Sequence, residues 1–149
     1  MKMSSAREKM PSVSERLVTW MIEIIIQAFA FSVLILEVGK LDRTIGIIDI
    51  VVGCVPVLYI FCVSGYVVTT IIIRVFLIRQ NSWLSAICVT LLFLIHFEVL
   101  NHFIVSGGVA DSSDRTFIRI IGSCITFLTT FAGAFALKRW TEEAVPATS

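Results

Sequence analysis

The sequence predicts an all-α membrane protein: four transmembrane helices in an up-down-up-down bundle, with both termini cytoplasmic. Three observations lead there. Apolar residues gather in four blocks, 17–38, 50–73, 83–105 and 117–137. At about 1.5 Å rise per residue each block reaches roughly 31 to 36 Å, enough to cross a hydrocarbon core of roughly 30 Å. Composition is the second observation: 57% of the 149 residues are hydrophobic and 15% are charged. Soluble domains carry about 25% charged residues, so an ordinary water-soluble core is excluded. The third is the sorting of charge. Lys2, Arg7, Lys9 and Arg16 precede the first block, Arg74 and Arg79 follow the second, and Lys138 and Arg139 follow the fourth. The other side receives Lys40, Arg43, Arg115 and Arg119, offset by Glu37, Asp42, Asp49, Asp111 and Asp114. Positive-inside bias assigns the cation-rich side, and both termini, to the cytoplasm. Trp20, Trp83 and Trp140 fall near that same interface, where amphipathic rings prefer to sit.

The elements follow in order. Residues 1–16 form a basic tail, and Pro11, Ser12 and Glu15 stand at capping-box spacing, which predicts a helix that starts before the membrane and runs into it. The first span is expected to be retained rather than cleaved. Its apolar run outlasts the roughly 7 to 15 residues of a signal peptide and ends in Glu37, Val38, Gly39 and Lys40, without a small-residue cleavage pattern. In the second span Pro56 and Gly65 weaken or bend the helix, which membranes tolerate where neighbours satisfy the freed carbonyl. Asn81 and Ser82 cap the third span, Gly107 and Gly108 end it, and Asp111 to Asp114 supply caps and negative charge for the fourth. Residues 17–137 thus make one transmembrane domain, and 138–149 a cytoplasmic tail. Short connections make successive helices antiparallel neighbours.

Ionisable groups inside a bilayer carry the most functional weight, because each costs roughly 2.5 to 3.5 kcal/mol at a helix centre on insertion scales. Glu23 stands about two turns inside the first span, with Gln27 four residues later on the same face. Arg74 and Lys138 lie within reach of that depth. In the third span Glu98, Asn101 and His102 fall within about 100° of one another, while His96 points nearly the opposite way. This polar face sits level with the start of the fourth span, so a Glu98 to Arg119 pair is geometrically reasonable. Such pairs offset desolvation and fix register; the competing reading is a proton or ion site.

The fourth span places Gly122, Thr126, Thr129, Gly133 and Ala136 at spacings of 4, 3, 4 and 3, a stripe of small residues on one helix face. Such a stripe admits close approach by the first or third helix, or by a partner. Cys54, Cys62, Cys88 and Cys124 all lie within spans, no two in a C-x-x-C arrangement, and read as small packing residues. Glu98 and His102 could supply two metal ligands with Glu37 or Asp49 as a third, but no resident metal, haem or other cofactor is expected. No G-x-S-x-G, H-E-x-x-H or phosphate-binding glycine loop occurs, so no enzymatic activity and no nucleic-acid partner is expected. The basic amino tail is a topology signal that contacts anionic lipid.

In size and layout the chain resembles the exclusion proteins of conjugative plasmids, the immunity proteins against pore-forming colicins, and phage superinfection-exclusion proteins. The resemblance is architectural: it covers the four spans, carries no motif and transfers no residue role. It implies a bacterial inner-membrane protein that acts by binding another membrane protein, with self-association as a second kind of partnership and the lipid bilayer as its constant surroundings. Glu23 on the first of four spans is also similar to the proton-exchanging glutamate of small multidrug-resistance transporters, a likeness confined to that residue and the span count. That family's glycine and tryptophan pattern is absent from the later helices, so no role is transferred; the alternative to a binding protein is a proton- or ion-coupled carrier or channel that uses an intramembrane Glu. A holin-like lesion former is the third reading.

Overall fold

The helix that opens the fold is set by its cap. In the computed structural model, which describes residues 11–38, 46–77, 81–105 and 112–143, the Ser12 backbone N–H donates to Glu15 Oε2 at 2.7 Å. The Glu15 N–H donates back to Ser12 Oγ at 3.2 Å, so both orphan donors are satisfied at once. From there α1 runs Val13–Val38. Its buried residues, Trp20, Glu23, Ile24, Gln27, Ala28, Phe31, Ser32 and Leu34, recur at helical spacing and form one stripe.

The second apolar block is two helices rather than one. α2 spans Ile47–Val63 and α3 spans Tyr66–Ile71, continuing as a π-helical segment Ile72–Leu77. The two halves are bent by 73°. Of the two breakers expected there, Gly65 makes the bend and Pro56 does not, since α2 continues through Pro56. Gly65 has φ 77°, a left-handed conformation that costs a residue with a Cβ roughly 1 to 2 kcal/mol. Ser64 N–H donates to the Ile60 carbonyl at 2.9 Å and Gly65 N–H to the Cys62 carbonyl at 3.1 Å, closing the end of α2.

α4 runs Ser82–Val105, with Asn81 Oδ1 accepting from the Leu84 N–H at 3.1 Å. α5 runs Ser112–Glu143, so the residues expected to begin the carboxyl tail, Lys138 and Arg139, are still helical. Gly107, Gly108 and Asp111 lie outside the described residues. Every regular element among the described residues is helical. Three helices are long and apolar enough to cross a membrane, or four if the bent pair makes one span.

α1 is the centre of the packing: α2, α3 with its π segment, and α5 all lie against it, while α4 packs on α5 and on α3. Aromatic rings fill the junction. Phe31 of α1 meets Phe61 of α2 edge-on at 5.7 Å and Phe93 of α4 at 5.1 Å, and Tyr66 of α3 lies 4.9 Å from Phe61. Such pairs contribute about 0.5 to 1.5 kcal/mol beyond simple area burial. Gly122 lets α5 into this cluster, since a Cβ there would come within 2.7 Å of both Phe31 and Phe93. Trp20 is 9% exposed and belongs to the core. Trp83 and Trp140, at 61% and 75%, lie on the exterior.

Candidate functional site: a buried polar ladder

Four hydrogen-bonding side chains of α1 stand at 16, 20, 23 and 27, spacings of 4, 3 and 4 that keep them on one face. Each finds a partner on α3 or its π segment. Arg16 Nη1 donates to the Val75 carbonyl at 2.6 Å. Trp20 Nε1 donates to Thr70 Oγ1 at 3.1 Å. Glu23 accepts two bonds from Arg74, Nε to Oε2 at 3.0 Å and Nη2 to Oε1. Gln27 Oε1 accepts from the Tyr66 hydroxyl at 3.1 Å. The ends of the ladder run antiparallel, Arg16 at Val75 and Gln27 at Tyr66, with Thr70 and Arg74 between them.

Glu23 and Arg74 are 4% and 6% exposed, so the carboxylate and guanidinium meet almost without water. The paired fork geometry offsets much of the desolvation cost, and loss of one partner would leave a buried charge uncompensated. Arg74 was expected to flank the second span as a loop cation; the structure buries it instead, within the π segment. Gly133 of α5 closes the site from the other side. A Cβ at that position would overlap the Glu23 carboxylate, so glycine is what lets α5 pass. One turn along, Gln27 Nε2 donates to Thr129 Oγ1 at 3.0 Å and to Thr130 Oγ1 at 3.4 Å, tying α5 to the ladder.

The small stripe of α5 is therefore occupied by this chain's own helices at Gly122, Thr129 and Gly133, and Thr126 is fully buried. Ala136 is exposed, and the buried line continues instead through Leu137 and Thr141. Among the described residues the Ser85 and Thr126 hydroxyls are buried without a hydrogen-bond partner. Glu98, the acid singled out in the third span, pairs with Arg119 at 3.1 Å, and these side chains keep 53% and 56% of their surface exposed. Asn101 and His102 continue α4, but their side chains lie outside the described residues. His96 turns away from Glu98: its ring packs edge-on to Tyr66 at 5.7 Å, and Nδ1 lies 2.9 Å from the Leu92 carbonyl, which can only accept.

Glu23 and Gln27 were singled out by polarity; Arg16, Trp20, Tyr66 and Thr70 were missed as members of one network. A signal existed. Tyr66, Thr70 and Arg74 recur every four residues and match the pitch of Trp20, Glu23 and Gln27. Comparison with protein families, with curated proteins and with solved structures finds no match to this chain.

Proposed function

We propose that this chain is a four-span, up-down-up-down protein of a bacterial inner membrane, with both termini cytoplasmic, that acts by binding another membrane protein. The antiparallel run of α3 and α5 against α1 supports that topology, as does the cation-rich flank at the termini. One observation carries the functional reading. The deepest acid of the bundle, Glu23, is locked by Arg74, and its neighbour Gln27 is satisfied at both ends of its amide. Its polar interior is engaged in holding helices together, and function falls to the exterior. There α2 offers a tall face, Val52, Val55 and Tyr59, each 65% or more exposed. Within this class, the architecture favours an exclusion or immunity role, as in plasmid conjugation or colicin protection.

The test is capture of the tagged full-length chain from native membranes with and without substitution of that face. Val55→Ala with Tyr59→Ala should lower recovery of a stoichiometric membrane partner at least tenfold, at unchanged folded yield. Unchanged recovery would contradict docking through α2.

A second reading has its own observation: the second span is broken at Gly65 and its second half carries Arg74 onto the buried Glu23, as in membrane carriers whose discontinuous helices frame a midplane site. Glu23→Gln in liposomes separates the two. Loss of proton-coupled flux by a folded protein would favour the carrier; absence of flux in the wild type would remove it.

A further inference from the structure

The Glu98 and Arg119 pair has no role in the core. It bridges α4 and α5 on the exterior, with over half of each side chain uncovered, among exposed Ile95 and Val99 of α4 and Ile120 of α5. Isolated charge facing lipid is unfavourable, so this patch gains from a cover of matching polarity.

We propose that the cover is a second copy of this chain, related by a two-fold axis along the membrane normal. The argument is charge complementarity under that symmetry. The two charges sit side by side on neighbouring helices, since α4 packs on α5 and Glu98 meets Arg119 at 3.1 Å. A two-fold axis along the normal reverses left and right but preserves depth. Each Glu98 then faces the Arg119 of the other copy, and four charges alternate in a closed ring. A two-fold contact must be self-complementary, and a lateral plus-minus pair flanked by apolar side chains meets that requirement. It is independent of α2, which packs on α1 and α3.

The test uses full-length chains carrying two distinguishable tags, co-expressed in pairs, extracted in mild detergent and captured through one tag. Wild type should capture wild type. Glu98→Arg alone and Arg119→Glu alone each put two like charges on the face, so each should lose self-capture at least fivefold. Co-expressed with one another, these two variants are complementary and should regain wild-type capture. Absence of wild-type self-capture, capture indifferent to both variants, or no recovery in the mixed pair would overturn the proposal, the first result leaving a different protein as the cover. Should a variant fail to fold, cysteine crosslinking decides. In a chain with its four native cysteines changed to Ala, Ile120→Cys should give a disulfide-linked dimer on oxidation and Val55→Cys should not; the reverse pattern overturns the symmetry.

Discussion

The two halves of the broken second span are held in opposite ways. α3 and its π segment touch α1 through a polar contact at almost every turn: Tyr66 to Gln27, Thr70 to Trp20, Arg74 to Glu23 and the Val75 carbonyl to Arg16. α2 meets α1 through apolar packing, with Phe61 on Phe31, Gly53 against Ser32, and a bond from Ser32 Oγ to the Ile50 carbonyl at 2.8 Å. In lipid the comparison matters, because an apolar helix face gains little by exchanging lipid tails for another apolar face. Specific position comes from close packing and from polar groups that have no alternative partner in hydrocarbon. The π half is therefore fixed in register, while α2 presents most of its surface outward.

The largest effect that sharpens this contrast is Arg74→Leu. It leaves the Glu23 carboxylate buried without its cation and should cost about 3 to 5 kcal/mol of bundle stability, read by detergent denaturation. Glu23→Leu combined with Arg74→Leu should recover most of that loss. Gly133→Leu comes next, with a cost of about 1 to 3 kcal/mol from a side chain forced onto the Glu23 carboxylate, visible as a lower melting temperature in micelles. Gln27→Leu removes the bonds to Tyr66, Thr129 and Thr130 and should cost about 1 to 2 kcal/mol by the same melting assay. Val52→Ala on the outer face of α2 should change stability by less than about 0.5 kcal/mol. A large loss at Val52 with little at Gln27 would invert the comparison.

Much of this was legible in the residues, for reasons that are local. The apolar blocks, the Ser12 and Glu15 cap and the Asn81 cap depend on spacings of a few residues, and Glu98 reaches Arg119 because antiparallel neighbours put them at one depth. Depth also placed Arg74 within reach of Glu23, though Lys138 competed for that role. What local pattern could not supply is which of two breakers acts. Pro56 loses one backbone bond and stays helical; Gly65 adopts a positive φ that only the surrounding contacts of Tyr66 and Thr70 make worthwhile. Nor could periodicity reveal that Trp20 is buried against α3, since its indole N–H is satisfied by Thr70, fifty residues away. The small stripe of α5 was visible, but its occupants, Phe31, Phe93 and Glu23, depend on tertiary register.

The most direct measurement is a double-mutant cycle on Glu23→Leu and Arg74→Leu, with stability followed by reversible denaturation in mixed micelles. If the ion pair positions the π half on α1, the two substitutions will be strongly non-additive, with a coupling of about 2 kcal/mol or more. Additivity within about 0.5 kcal/mol would contradict the account and leave the ion pair without a part in holding the π half on α1.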